Sequence, residues 1–149
     1  MKTLLTILML AAMLVSCGTE EKKAGTTDDA ELTVQTTQPQ VEVMYFHGKQ
    51  RCMTCKAIEK VASETVAGNY APQIADGKIR FTVIDIDSQE GEAIADKYRI
   101  ARSSLLVVKR KSDGSESVEN MTDKAFANAR NNPDAFITML CEVINRQLN

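Results

Sequence analysis

The sequence is poor in the residues on which several classes of protein depend. Four cysteines and one histidine are too few for a disulfide scaffold of this size, and they lack the four-ligand spacing of a structural zinc site. The 18 basic and 20 acidic side chains give a formal net charge of -2, without a basic run. Nucleic acid is therefore not an expected partner, because its binding depends on Lys and Arg neutralising phosphates. The expected partners are therefore proteins, small molecules or metal ions.

The sequence also lacks an apolar run long enough to span a membrane. The longest run, over residues 4–15, follows one cation, Lys2, and as a helix it would rise only about 18 Å against roughly 30 Å of hydrocarbon. Such a segment is typical of an export signal. It ends in LVSCG, which resembles the lipobox of bacterial lipoproteins. That resemblance implies a signal peptide over residues 1–16, lipid on Cys17, and a location on a bacterial membrane facing the periplasm or the cell surface. The alternative is an ordinary signal peptide that contains a cysteine.

The next segment is too polar to form a core. Residues 18–40 contain few apolar side chains, so burial cannot offset the entropy lost on ordering them. We expect residues 17–40 to be the lipidated cysteine and a flexible tether. A single globular domain is then expected over residues 41–149, a length that suits one hydrophobic core.

Apolar periodicity in residues 41–149 predicts an α/β fold of order βαβαββα with a mixed sheet. The predicted elements are a strand over 41–46, a helix from 52 to 69 with a short turn to 75, a strand over 81–87, a helix over 90–98, strands over 105–108 and 115–120, and a last helix from 133. Before that last helix, we expect Thr122 to cap a short helix whose Met121 and Phe126 pack together.

Two thiols, Cys52 and Cys55, lie at the start of a helix that directly follows a strand. Unpaired N–H groups and the helix dipole favour negative charge there, and Lys49, Arg51 and Lys56 add cations nearby. A thiolate is therefore stabilised. We expect Cys52, nearer the tip, to be the exposed nucleophile, and Cys55 to resolve the mixed disulfide. This predicts a redox-active disulfide that needs no other cofactor.

Other interpretations of these residues stay open. The Cys52–Cys55 pair could be a static disulfide, or it could bind metal or carry electrons together with His47. His47 could instead exchange protons with the thiols, although a loop histidine with a backbone partner is the simpler interpretation. For Cys141, whose helical face is apolar, we expect a small buried hydrophobe.

The order of these elements resembles the thioredoxin superfamily. The features that carry the resemblance are the CxxC after a strand, the strand over 81–87, the helix to Tyr98 and the strand that leads into an Asp-Gly hairpin. The sequence around the motif more narrowly resembles small bacterial thioredoxin-like proteins that are sometimes labelled as subunits of a nitrophenyl-compound nitroreductase. The matching segments are YFHG at 45–48, Arg51-Cys52, Thr54-Cys55 and AIE at 57–59. The resemblance implies a thiol-disulfide oxidoreductase that acts on protein disulfides or thiols. An exported protein can act as a reductase if a membrane partner keeps it reduced, so we also expect a membrane redox partner.

The sequence departs from the superfamily at two places. Arg51 replaces the aromatic residue that precedes the motif, and the chain has no tryptophan. In the loop expected to face the motif, Ser103 and Ser104 are present, and Ser104 takes the place of the cis-proline. In the superfamily that loop lines the substrate groove and shields the thiols from metal. The replacement of its proline by Ser104 therefore favours the metal-binding alternative.

Overall fold

A mixed four-stranded sheet lies at the centre of residues 38–149, the part of the chain that the structure, a computed structural model, describes. Its strands are β1 (Val41–His47), β2 (Ile79–Asp85), β3 (Ser104–Arg110) and β4 (Glu116–Asn120), in the order β2-β1-β3-β4. β1 is parallel to β2 and antiparallel to β3, and β4 is antiparallel to β3. The predicted α/β class with a mixed sheet is confirmed.

Helices cover both faces of this sheet. They are α1 (Met53–Asn69), α2 (Ala71–Ala75), α3 (Gln89–Tyr98), α4 (Thr122–Asn128) and α5 (Pro133–Leu148). Alternate side chains of β1 point to opposite faces. Val43 and Tyr45 pack into a core with α1, α4 and α5, whereas Met44 and Phe46 pack into a second core with α3.

The direction of β1 and β2 determines where the motif lies. The first six residues of β1 are buried, as expected of a central strand, and its last residue, His47, is paired with Asp85 at the end of β2. The two parallel strands therefore end at the same edge of the sheet. The loop into α1, with Cys52, begins at this edge, which is where open α/β sheets generally place their ligand sites.

The second strand begins and ends two residues earlier than the predicted 81–87. After Asp85 the backbone turns out of the ladder, because the Ser88 hydroxyl donates to the Asp85 carbonyl and accepts from Gly91 N–H at the start of α3. A helix cap thus ends the strand. Side-chain alternation alone could not locate this turn, because the apolar residue Ile86 continues the pattern of the strand.

The predicted contact at the start of α4 was wrong. Thr122 is the first residue of the helix rather than its cap, and its hydroxyl accepts a hydrogen bond of 3.1 Å from the Leu105 N–H of β3. Met121 is fully buried, but Phe126 is 38% exposed and faces a groove described below. The hydroxyl of Thr122 fastens α4 to the sheet, which leaves Phe126 on the outside.

The predicted signal peptide (1–16) and lipid site, Cys17, lie outside the described residues, as does most of the predicted tether (17–40). The end of that segment makes contacts: Pro39 is buried, and the Gln40 side chain donates to the Leu148 carbonyl. Over residues 38–149, no helix has both the length and the apolar character needed to span a membrane.

A buried carboxylate lies near the start of β1, at the opposite end of the strand from the motif. Glu42 is 3% exposed, and its oxygens accept hydrogen bonds from Thr82 and Arg80 and pair with Arg110 at 2.8 Å. Burial by itself raises the pKa of Glu42, but these three partners outweigh it and hold the pKa below the ordinary value of 4.5. The carboxylate is therefore ionised at neutral pH and joins β1 to β2 and β3.

We expect Glu42→Gln to lower the free energy of unfolding by about 2–4 kcal/mol near neutral pH, because Arg110 loses its buried partner at 2.8 Å and retains Glu116 at 3.3 Å. Since the folded-state pKa is lowered, the contribution of Glu42 is fully present above the unfolded pKa and is lost as the pH falls through the folded pKa. Urea unfolding at several pH values measures both effects. Asp76→Asn, in an exposed pair with Lys78, is the control and should change stability by less than about 0.5 kcal/mol. A difference between wild type and Glu42→Gln that does not shrink at acid pH would contradict this assignment.

Candidate functional site: a disulfide at the N-terminus of α1

The two cysteines of the motif form a disulfide in which one partner is exposed and the other is buried. Cys52 is the N-cap of α1 and is exposed, whereas Cys55 is 6% exposed. Their Cα atoms are 5.0 Å apart, and the Cys52 sulfur accepts a hydrogen bond of 3.1 Å from the Cys55 N–H. The exposed sulfur thus occupies the place of a helix cap, where a backbone donor that has no helical partner stabilises negative charge.

The loop before the motif is held against the end of β2. Lys49 N–H donates to the Asp87 carboxylate at 2.7 Å, and Ile86 N–H donates to the His47 carbonyl at 2.8 Å. A Cβ on Gly48 would lie only 3.2 Å from the same carboxylate, so the backbone approaches Asp87 closely. These contacts fix the path of the chain from β1 to the first turn of α1.

Tyr45 lies beneath the disulfide and supports it. Its ring is fully buried, and its hydroxyl donates a hydrogen bond of 2.8 Å to the Cys55 carbonyl. Burial raises the pKa of Tyr45, and the nearby Arg51 and Ser103 oppose this effect only in part. The phenol therefore stays protonated at neutral pH and keeps its donor directed at the buried cysteine.

The three cations predicted near the thiols have different surroundings. Lys49 and Lys56 are exposed, so solvent and salt screen their charges. Arg51 instead turns back onto the domain, where its guanidinium lies over the Tyr45 ring, 5.8 Å from the ring centroid, and forms an ion pair with Glu59. Arg51 thus covers the ring next to the disulfide, and its charge is compensated.

The loop that precedes β3 faces the motif as predicted, and its two serines have different roles. Ser103 lies beside the Tyr45 hydroxyl. Ser104 is 5% exposed, pairs with Phe46 as the first residue of β3, and donates its hydroxyl to the Arg102 carbonyl at 3.0 Å. A side-chain hydrogen bond therefore shapes the loop at Ser104, the residue that takes the place of the superfamily's cis-proline.

A groove of about 480 Å³ opens beside the buried cysteine. Its walls combine polar and apolar groups, contributed by Cys55, Arg102, Ser103, Thr122, Asp123 and Phe126. Met53, next to Cys52, is 66% exposed. Apolar side chains thus remain uncovered near the disulfide, on a surface where a polypeptide could lie.

His47 and Cys141 do not join the thiol pair. His47 ends β1, and its Nδ1 donates to the neighbouring Gly48 carbonyl at 3.1 Å, which agrees with the simpler interpretation of this residue. No three His, Cys, Asp or Glu side chains among residues 38–149 are grouped so that they could hold a metal ion. Cys141 is half-buried on α5 and accepts a hydrogen bond from Asn69, at the far end of α1.

Sequence reasoning missed Glu59 and the groove residues Arg102, Asp123 and Phe126. For Glu59 a signal was available, because a residue four positions after Cys55 lies on the same face of a helix. For the groove no local signal existed. Its walls come from α1, from the loop before β3 and from α4, and the last two are brought together by hydrogen bonds of Leu105 with Thr122 and with Met121.

Comparisons with known proteins give similarities to thioredoxin-domain structures. A thioredoxin from Thermus thermophilus is 14% identical (TM-score 0.44), with 70% of this chain and 74% of that chain covered. A mutant of a thioredoxin from Entamoeba histolytica is 23% identical (TM-score 0.46; coverage 76% and 90%), and a zinc-bound form of human ERp44 is 16% identical (TM-score 0.49; coverage 82% and 30%). No protein-family model and no curated protein matches the sequence. Since these TM-scores are below 0.5, function is inferred from the residues of this chain.

We expect Tyr45→Phe to make the disulfide easier to reduce, because the Cys55 carbonyl loses the donor that holds the first turn of α1. The rate of reduction by dithiothreitol should rise about two- to fivefold, which corresponds to less than roughly 1 kcal/mol. Tyr70→Phe is the matched control. The Tyr70 hydroxyl also donates to a carbonyl, that of Cys141, but at the other end of α1, so this variant should lose stability without any change in reduction rate. Equal reduction rates for Tyr45→Phe and wild type would show that the phenol does not support the disulfide.

Proposed function

We propose that this chain is a thiol-disulfide oxidoreductase of the thioredoxin superfamily that exchanges disulfides with protein substrates. The observation that carries the proposal is the asymmetry of one helical turn: Cys52 is exposed at the N-cap of α1, while Cys55 is buried and bonded to it. A static disulfide has no need of an exposed sulfur at a position that stabilises a thiolate. Because of this turn, a partner protein can reach one sulfur more easily than the other, and the two sulfurs therefore have different roles.

The exchange proceeds in two balanced steps. In the reduced protein, the Cys52 thiolate attacks one sulfur of a substrate disulfide, a bond forms between the two chains, and the other substrate sulfur leaves as a thiolate. Cys55, after losing its proton, then attacks the Cys52 sulfur and releases the second substrate thiolate. The chain's dithiol loses two electrons to the substrate disulfide, and the reverse sequence oxidises a substrate dithiol.

Access decides the order of these steps. A partner protein can reach Cys52, but the 6% exposure of Cys55 shields that sulfur from intermolecular attack. The hydrogen bond from Cys55 N–H to the Cys52 sulfur also favours the thiolate of the exposed cysteine. The first bond to the substrate is therefore formed by Cys52, and Cys55 resolves it within the chain.

The surface around Cys52 favours a polypeptide as the substrate. Met53 and Phe126 offer apolar side chains, and Arg102 and Asp123 offer charged groups along the groove. This mixture fits the segment around a disulfide in a protein. In a nitroreductase assembly, the same chemistry would make the chain a donor of electrons to another protein.

Export and membrane attachment belong to the same proposal and are supported by the sequence alone. The apolar run over residues 4–15 and the LVSCG that follows it support removal of a signal peptide and lipid on Cys17. The polar residues after Cys17 would separate the lipid from the domain. An exported thiol pair needs a source or acceptor of electrons, for which a membrane redox partner is the proposed solution.

The thiol roles predict different results for three single substitutions. Cys52→Ser should abolish reduction of a fluorescent disulfide-bonded peptide, because the attacking thiolate is lost. Cys55→Ser should retain attack and accumulate a mixed disulfide, which is visible as an adduct on non-reducing gels. Cys141→Ser should behave as wild type, because that thiol lies at the other end of α1. Undiminished exchange by Cys52→Ser would refute the proposed function.

Lipid attachment predicts a change in fractionation. When the full chain is expressed in a lipoprotein-processing bacterium, wild type should incorporate labelled palmitate and sediment with membranes. Cys17→Ala should lose both properties, because no thiol remains at the processing site. Cys141→Ser is the control for labelling of another cysteine. Palmitate labelling that persists in Cys17→Ala would contradict this part of the proposal.

A further inference from the structure

One charged residue directly precedes the exposed cysteine and is only partly exposed. The Arg51 side chain is 25% exposed and pairs with Glu59, which is 28% exposed. The guanidinium also covers the Tyr45 ring, whose hydroxyl is bonded to the Cys55 carbonyl. An acidic side chain of α1 thus holds a cation over the ring whose hydroxyl is bonded to the Cys55 carbonyl.

An uncompensated arginine at this position would have a strong effect on the thiols. Arginine stays protonated at all relevant pH values, and the N-terminus of α1 already favours a thiolate at Cys52. A second positive source would lower the Cys52 pKa further and stabilise the reduced form. Glu59 opposes this effect, because it brings a negative charge to the same guanidinium.

The partial burial of the pair makes this compensation matter. Charges that are fully exposed are screened and interact weakly across a surface. Arg51 and Glu59 are mostly covered, so their fields act through a medium of lower effective dielectric constant. Both cysteines are near the pair along the chain, since Cys52 directly follows Arg51 and Cys55 lies one helical turn before Glu59.

We propose that Glu59 is a positioning residue that compensates the charge of Arg51, and that the pair thereby sets the pKa of Cys52 and the reduction potential of the disulfide. This inference rests on the proposed exchange function. With Glu59 present, the couple is more reducing than a helix N-terminus with a free arginine would be. Arg51 occupies the place where the superfamily has an aromatic residue, so an ion pair lies over the Tyr45 ring there instead.

The other charged or titratable groups around the disulfide lie on several elements. His47 and Lys49 come from the end of β1 and its loop, Asp87 from the turn after β2, Lys56 from α1, Arg102 from the loop before β3, and Asp123 from α4. His47 is directed to the Gly48 carbonyl, and both lysines are exposed. Arg51 and Glu59 are the two that are held together at Tyr45, under the motif.

The test compares three variants of the pair and measures the Cys52 pKa from the pH dependence of alkylation. Glu59→Gln should lower the pKa by about half a unit to one unit, which is a three- to tenfold change in the thiolate equilibrium. Arg51→Gln should raise it by a similar amount, because Glu59 is then uncompensated. The double variant should return close to the wild-type value. Opposite signs that cancel are specific to charge, since loosening of the first turn would move both single variants in one direction.

The reduction potential of the disulfide should shift together with the Cys52 pKa when the potential is measured against glutathione at a pH above that pKa. A three- to tenfold change in the exchange equilibrium is about 15 to 30 mV for this two-electron couple. Glu59→Gln should be the more oxidising variant and Arg51→Gln the more reducing one. Arg51→Lys keeps the charge and should remain near wild type, even if the contact with Tyr45 is weakened.

The chain contains a matched control on the same helix. Lys60 and Glu64 form an ion pair of 2.7 Å, but their side chains are 70% and 62% exposed, and Glu64 lies more than two turns beyond Cys55. Glu64→Gln removes the same charge and should leave both the pKa and the potential unchanged. An equal shift in Glu64→Gln would overturn the inference.

The outcomes separate this inference from the proposed function. If wild type exchanges disulfides through Cys52 but the Glu59 and Arg51 variants leave the pKa unchanged, or shift it in one common direction, the inference is overturned and the function stands. If wild type exchanges no disulfide, the proposed function fails, while the alkylation experiment still reports on the pair. Opposite pKa shifts that cancel in the double variant support the inference.

Discussion

The burial of β1 on both faces is the constraint on which the rest of the structure depends. A strand covered on both sides must satisfy every polar group that it carries. β1 carries two such side chains, and each has a partner: Glu42 near its start is paired with arginine, and Tyr45 near its end is bonded to the Cys55 carbonyl. The first joins the strands of the sheet. The second joins the sheet to the helix that bears the disulfide.

The location of the motif could be predicted because its determinants are local. A β-branched and aromatic run, two thiols three positions apart and a following helical stripe are all contained in residues 41–69, so periodicity places Cys52 at a strand-to-helix junction. The fold class followed from the same patterns. The boundary of β2 did not, because the Ser88 cap of α3 ends the strand while the apolar pattern continues.

The surroundings of the motif could not be predicted because they depend on contacts between distant segments. The sequence places Glu59 on the same helical face as Cys55, but it does not show that the Arg51 guanidinium turns back over the Tyr45 ring to pair with it. The groove depends on hydrogen bonds that join Leu105 to Met121 and Thr122, which are distant in sequence. The sequence pattern predicts that Thr122 caps α4, because threonine is common at the N-cap of a helix.

The electrostatics of the site illustrate why counting charges in a sequence is insufficient. Three cations near two thiols predict strong stabilisation of a thiolate, but two of them are exposed and the third is paired. The donor that remains close to the Cys52 sulfur is the Cys55 N–H, which the helix provides whatever the surrounding charges are. Geometry at the helix N-terminus therefore supplies the basic stabilisation of the thiolate, and the balance between Arg51 and Glu59 determines how much is added to it.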